Sequence, residues 1–291
     1  MYNPYFGFSG SPFENTLDQR FLFLGEEHQE VLAALLYFIE TKKGFALVCG
    51  DVGTGKTMLL NSLLEQLPET VSPVLIANPY VSSQELLLYL AYALGIKATG
   101  AEKVLELTDA VKNALLEAKS RDRHLILIVD EAHLLSDQAL EEIRLLSNIE
   151  TPTQKLLQIL LVGQYELSHN LDRPEMRHLR QRINVNRFLA HLNPADTITY
   201  IDHRLHQVGS SFASVFEGNC RRLIFKLTRG VPRSLNQLCD NALLICMAEG
   251  RRQVNRRTLK QAHEALQADR LSTPKGWIVK VRVLVWKYCR F

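Results

Sequence analysis

Eight consecutive residues, Gly50-Asp51-Val52-Gly53-Thr54-Gly55-Lys56-Thr57, constrain the fold more tightly than any other stretch of this chain. They fit the phosphate-loop spacing G-x-x-x-x-G-K-[ST] at every fixed position, and such a loop works only between a buried strand and the start of a helix. The flanks supply both. Phe45-Ala46-Leu47-Val48-Cys49 is a short uninterrupted apolar run, and Met58 to Leu67 carries leucines at 59, 60, 63, 64 and 67 among helix formers. Glycines free successive backbone N–H groups to curl around an anion, and the new helix points its positive end at the same place. Gly50 to Thr57, continued into Met58, is therefore the expected cradle of a nucleoside triphosphate. Lys56 would reach its β- and γ-phosphates, and the Thr57 hydroxyl would ligate Mg²⁺. A glycine-rich turn with an ordinary lysine is the bland alternative, and it requires pattern and context to coincide by accident.

A second signature follows at Leu125-Ile126-Leu127-Ile128-Val129-Asp130-Glu131-Ala132-His133. An apolar strand that ends in two adjacent carboxylates is what a magnesium–triphosphate site needs. Asp130 is expected to hold the metal, and Glu131 to polarise the attacking water as general base. Carboxylates also suit any helix start, but the phosphate loop upstream favours the catalytic reading. His133 is assigned no role. Gln164, closing the run Leu160-Leu161-Val162-Gly163-Gln164, can reach between a γ-phosphate and a water, the alternative being a loop glutamine in solvent. In Arg177-His178-Leu179-Arg180-Gln181-Arg182-Ile183, an arginine just before a strand can enter a neighbouring subunit's site and stabilise the transferring phosphoryl group. Arg182 is the first choice and Arg180 the next, against the reading of ordinary surface arginines. Finally, Arg229-Gly230-Val231-Pro232-Arg233 makes a tight turn that opens a helix on a cation. The helix dipole disfavours that placement, so an anionic partner for Arg233 is expected.

The rest of the chain supports one architecture. Further strands are expected at 71–77, 125–129, 156–162 and 183–188, and helices at 26–41, 82–94, 103–119 and 137–147. Strands alternating with helices imply a parallel sheet covered on both faces. Beyond about residue 190 only helices are expected, at 194–208, 213–228, 234–248 and 256–267. The fold class is α/β, a P-loop NTPase core with a small all-helical domain. The boundaries are an aromatic N-terminal arm at 1–25, the core at 26–190, the helical domain at 191–267 and a basic tail at 268–291.

Composition limits the alternatives. No run of about 18 or more uncharged apolar residues exists, so no spanning helix is expected. Met1-Tyr2-Asn3-Pro4-Tyr5-Phe6 lacks the pattern of a signal peptide. The five cysteines, at 49, 220, 239, 246 and 289, make no C-x-x-C pair and read as reduced thiols of a cytoplasmic protein. Net charge is +3, yet six cations against Asp269 give residues 268–291 a net +5, leaving −2 for residues 1–267. A DNA-binding body should be strongly basic, so DNA is disfavoured as a partner. The tail, with Trp277 and Trp286 around basic and aliphatic residues, suits contact with an anionic membrane surface, or else is a strand or a disordered end.

The assembled motifs resemble AAA+ ATPases of the general secretion pathway protein A (ExeA) type, and especially the MSHA pilus biogenesis ATPases of bacteria. The residues that carry the resemblance are Tyr5-Phe6-Gly7-Phe8, Ser11-Pro12-Phe13, Phe21-Leu22-Phe23, the phosphate loop, Asn78-Pro79-Tyr80, IVDEAH at 128–133, LLQILLVGQYEL at 156–167, LRQRI at 179–183 and GVPRSLNQLCDNALL at 230–244. The resemblance covers about residues 2–267. It implies an α/β core with a helical lid, ATP and Mg²⁺ as ligands, and homo-oligomers formed through the ATP sites. It also implies Gln164, Arg182 and Arg233 as sensor 1, arginine finger and sensor 2. The work implied is assembly of a secretion or type IV-like pilus system, with an inner-membrane component as partner and the chain in the cytoplasm, peripheral at that membrane. Tyr165 departs from the family's usual proline. Secretion-type members also continue into a membrane span and a periplasmic domain, so the short chain fits the pilus branch better, or a truncated copy.

Overall fold

The computed structural model describes residues 1–16, 18–77, 79, 82–98, 100, 103–150 and 155–271. The expectations for the tail from residue 272 onward, and for Asn78 and Tyr80, lie outside the described residues. The chain divides into two compact units. One is Glu27–Ala190; the other joins Met1–Glu26 to the stretch from His191 onward.

Helices are numbered along the whole chain, with α1 at Asn3–Phe6 and α2 at Glu26–Glu40. In the first unit, strands β1 (Phe45–Gly50), β2 (Val71–Ile76), β3 (His124–Val129), β4 (Leu157–Gly163) and β5 (Ile183–Leu189) form one sheet in the order β2-β3-β4-β1-β5. Every pairing is parallel. The sequence explains the order of burial. β1 and β4 are buried at every position, as expected of central strands covered on both faces. β2 and β5, at the edges, alternate with exposed residues. Pro73 sits in β2, where an edge strand tolerates the missing N–H. Around the sheet run α3 (Lys56–Glu65), α4 (Ser83–Ala93), α5 (Val104–Ser120) and α6 (Asp137–Leu146), followed by two short helices, α7 (Tyr165–Leu171) and α8 (Arg177–Arg180). Ser82 caps α4 in a reciprocal box with Glu85, and Ser136 caps α6. Leu47, Leu127, Ile143, Leu161 and Leu167 belong to one continuous core, each with no exposed surface.

The second unit is helical: α9 (Pro194–His206), α10 (Phe212–Val215), α11 (Arg221–Thr228), α12 (Pro232–Ala248) and α13 (Arg256–Leu271). The single helix expected over 213–228 is in fact two, α10 and α11. Between them Phe216 turns extended and pairs with Val254, and Glu217 N–H donates to the Val254 carbonyl. Burying Phe216, only 1% exposed, decides the break. The opening aromatics pack into this unit: Tyr2, Phe8, Phe13 and Phe21 share one core with Tyr200, Leu205, Val208 and Phe212. The buried Arg204 holds them there. Its guanidinium donates to the Pro12 carbonyl (2.5 Å), the Glu14 carbonyl (2.7 Å) and the Tyr200 hydroxyl (2.9 Å), and lies 4.6 Å from the Phe21 ring centre.

Candidate functional site

β1 delivers the chain to Gly50, and α3 opens at Lys56 behind a left-handed Gly55 (φ +100°). Gly50 has no room for a side chain. A Cβ there would stand 2.8 Å from the Leu189 carbonyl and 3.1 Å from Thr54 Oγ1. The loop is internally tied, Thr54 Oγ1 donating to the Asp51 carbonyl (2.9 Å). It is also braced from outside, because His28 of α2 places Nε2 2.9 Å from the Thr54 carbonyl. His28 was not anticipated. Its signal was the apolar stripe Leu32, Leu35 and Ile39 of α2, which continues one turn back onto His28, itself 4% exposed.

Lys56 is buried, and its ammonium donates to the carbonyls of Gly50 (2.9 Å) and Asp51 (2.8 Å). Burial pulls it below the usual lysine range, and Glu131, Asp130 and Asp51 oppose that shift. The hydroxyl of Thr57 donates to Asp130 Oδ2 at 3.1 Å, while Asp130 Oδ1 accepts the N–H of Glu131 at 2.8 Å. A hydroxyl and a carboxylate so close at the junction of α3 and β3 are the hard oxygen donors that Mg²⁺ selects. Among the described residues no group of three or more His, Cys, Asp or Glu could hold a metal ion. Thr57 and Asp130 would therefore share the ion with phosphate oxygens and water, as Mg²⁺ prefers.

Glu131 stands in the left-handed region (φ +51°), which costs a non-glycine residue free energy and is common where a site imposes it. β4 lies between β1 and β3, so its end brings Gln164 to the same corner. There Gln164 Nε2 lies 2.9 Å from His133 Nε2, and His133 Nδ1 lies 3.4 Å from Glu131 Oε2. The sequence reading gave His133 no role, yet it stands between the two. Lys56, Thr57, Asp130, Glu131 and Gln164 thus gather at the C-terminal ends of β1, β3 and β4, where open parallel sheets bind ligands.

Arg182 sits elsewhere. Arg182 precedes β5, whose register pairs Ile183 with Phe45 and Leu189 with Gly50. It lies at the far end of the sheet from its own phosphate loop, on the order of 20 Å away at strand rise. Its guanidinium donates to Ser147 Oγ (2.7 Å) and lines a cavity of about 310 Å³ with Gly44, Phe45, Ser147, Lys155 and Asn184. Arg180 is paired with Asp172 (3.0 Å), and Arg177 is exposed. Arg233 belongs to the helical unit, exposed in the first turn of α12. Cys49, beside the loop, is buried, and burial pushes its thiol up to about 11, which leaves it unreactive at neutral pH.

Known proteins resemble this chain in sequence and in fold. A family model described as an AAA domain matches residues 39–171. The chain is similar to General secretion pathway protein A of Aeromonas hydrophila, 35% identical over 250 residues. That match takes in 86% of this chain and 46% of the relative, so the chain spans less than half the length of the relative it matches. Among solved structures, the ORC2 protein of Aeropyrum pernix in ADPNP and ADP complexes aligns with TM-score 0.60 and 16% identity, over 86% of this chain and 70% of that one. Cdc6p of Pyrobaculum aerophilum aligns at 0.61 and 18%, over 84% and 67%. The RuvB Holliday junction branch migration motor of Thermotoga maritima aligns at 0.55 and 16%, over 88% and 74%. At such identities these structures speak for the fold alone. Phosphate loop, sheet order and the AAA-domain match over residues 39–171 together mark a P-loop ATPase with an AAA domain, similar in sequence to General secretion pathway protein A.

Proposed function

We propose that the chain hydrolyses ATP with Mg²⁺ held by Thr57 and Asp130, and that the cycle drives assembly of a secretion or type IV-like (MSHA-type) pilus system at the bacterial inner membrane. The observation that carries the chemistry is the convergence of Lys56, Thr57, Asp130, Glu131 and Gln164 at one edge of the sheet. When bound, the magnesium ion neutralises charge developing on the phosphates. The backbone of Gly50 to Thr57 wraps the phosphates, Met58 continues the helix whose positive end faces them, and Lys56 exchanges loop carbonyls for phosphate oxygens. Glu131 takes the proton of the attacking water, and Gln164 orients that water. Arg182, remote from its own loop, serves the site of a neighbouring copy, so the active form is a homo-oligomer. Arg233 acts as the lid's sensor of the γ-phosphate. The relative's name supports the secretion setting and with it a peripheral cytoplasmic placement at that membrane; no helix among the described residues is long and apolar enough to cross a membrane.

Phosphate release by mixtures of two variants tests this. Glu131→Gln and Arg182→Ala, each inactive alone, should regain activity when mixed, because one supplies the arginine and the other the intact base. No recovery in any ratio would place Arg182 outside the reaction. For the secretion setting, deletion of the gene should remove surface pili or secreted protein, and Glu131→Gln should fail to restore them.

One observation favours a second reading, a DNA-associated ATPase of transposition or replication. Charge divides by unit: residues 27–190 sum to −5 and residues 191–271 to +5. On α11, Arg222 and Lys226 lie at i and i+4, and Arg229 follows at its C-terminal cap; all three are exposed, with no side-chain partner among the described residues. Duplex DNA binding that weakens about 10³-fold between about 50 and 200 mM salt, and disappears when these three are reversed in charge, would favour that reading.

A further inference from the structure

Two buried polar atoms at the catalytic corner make no hydrogen bond among the described residues, Oε2 of Glu131 and Nδ1 of His133. They lie 3.4 Å from each other. On its other side the same imidazole sets Nε2 at 2.9 Å from the amide nitrogen of Gln164. A carboxylate only accepts, so a hydrogen bond to Glu131 requires the proton on Nδ1. In a neutral ring Nε2 is then the acceptor for a Gln164 N–H. One tautomer serves both neighbours at once. The backbone fixes the group too. Glu131 is left-handed, and His133 follows on the short turn Ala132–Leu134. Gly163, just before Gln164, lets this turn come close, since a Cβ there would lie 3.1 Å from the His133 backbone nitrogen and 2.9 Å from Leu167 Cδ2. The imidazole is enclosed, its side chain only 12% exposed.

From this geometry we infer that His133 is a positioning residue for ATP hydrolysis: it joins the carboxylate of Glu131 to the amide of Gln164 so that the two are oriented as one unit. This rests on the assignment of Glu131 and Gln164 made above. A histidine that merely packs in this corner would leave the two side chains independent; a bridge makes the effect of losing either link depend on the other. His133 forms no bond in the reaction and takes no proton from water. Its part is to keep the carboxylate from rotating away and to hold the amide toward it.

The test is turnover at saturating Mg²⁺-ATP, equilibrium binding of ATP and thermal unfolding, for His133→Ala, Gln164→Ala, their combination, His133→Asn and Glu131→Gln. The bridge predicts that His133→Ala lowers kcat roughly 10- to 100-fold while ATP affinity stays within about threefold. The double variant should be no slower than the slower single one, as expected of residues acting together. His133→Asn, whose amide nitrogen falls near the Nδ1 position, should recover part of the loss; it is also the variant to use if the alanine protein unfolds. Wild-type kcat in His133→Ala, or losses from His133 and Gln164 that multiply, would overturn the bridge. If Glu131→Gln itself turned over normally, the general-base assignment would fall instead. An inactive Glu131→Gln beside a fully active His133→Ala removes the bridge alone.

Discussion

Each unit of the chain buries a cation, and the two are used in opposite ways. Lys56 opens α3 just beyond a central strand, 6% exposed, and its ammonium donates to two carbonyls of the loop it belongs to. Arg204 lies among aromatic rings, 4% exposed, and spends its donors on the carbonyls of Pro12 and Glu14 and on Tyr200. Loop carbonyls can be exchanged for phosphate oxygens. The carbonyls of a packed arm cannot be given up without undoing the packing. A buried cation on exchangeable partners marks chemistry; one on committed partners marks structure.

The sharpest way to break that contrast is to remove each cation. Lys56→Ala should lower ATP turnover by about 10²–10³-fold, the scale of losing a preorganised charge. Because burying the ammonium opposes folding, its unfolding midpoint without nucleotide should hold or rise. Arg204→Met should cost about 2–4 kcal/mol in urea unfolding, since it leaves the buried Pro12 carbonyl without its donor, frees the more exposed Glu14 carbonyl and removes a cation from the Phe21 ring. Limited proteolysis should then cut first within residues 1–26. A stable Arg204→Met protein with an intact arm would end the structural reading of that residue.

Glycines sharpen the comparison further. A Cβ on Gly230 would stand 2.0 Å from the Leu192 carbonyl, at a left-handed φ of +74°, and Leu192 N–H donates to the Gly230 carbonyl at 3.0 Å. Gly230→Ala should therefore destabilise the helical unit by about 3 kcal/mol or more, seen as loss of helical circular dichroism at lower temperature. Gly50→Ala meets a contact of 2.8 Å at the phosphate loop. It should abolish ATP binding while most of the fold survives.

What could be read from the sequence follows the same division. The phosphate loop, the acidic pair and the five parallel strands were legible because each is a local pattern: an apolar run, a fixed spacing, a strand end. The roles of His133 and His28 were not, since each depends on a partner brought near by the sheet, Gln164 for one and Thr54 for the other. In the helical unit the helices themselves were legible by period and punctuation. Its interior was less so. The break at Phe216 arises from a bridge to Val254, a residue whose sequence neighbourhood says nothing about strand pairing. The clamp of Arg204 on Pro12 likewise joins residues that no local window contains. For Arg182 the sequence supplied the residue, and only the register of β5 on β1 revealed that it stands at the opposite end of the sheet from its own loop.

The smallest effect separates the units by their thiols. Among the described residues three buried cysteines, Cys220, Cys239 and Cys246, lie in the helical unit, against Cys49 in the α/β unit. Burial is the first cause in each, pushing Cys49, Cys220 and Cys246 up to about 11 and Cys239 higher still. Cys220 and Cys246 also donate S–H to the carbonyls of Val254 (3.4 Å) and Arg251 (3.3 Å), which only the neutral thiol can do. An unfolded thiol begins to ionise near its ordinary value of 9.0, whereas the folded one keeps its proton to about 11. Between those values the unfolded chain binds fewer protons, so stability must fall as pH rises, by at most about 1.4 kcal/mol per pH unit for each thiol. The buried hydroxyls of Tyr2 and Tyr200, also raised mainly by burial, add to the same trend within the helical unit. Urea unfolding under reducing conditions, followed from about pH 8 to 11, should show this loss. Replacing Cys220, Cys239 and Cys246 by alanine together should flatten its slope about three times as much as replacing Cys49. Equal flattening from the single and the triple replacement would mean that the thiols of the helical unit ionise freely. Its interior would then be no drier than a solvated helix bundle, against the burial that holds the arm in place.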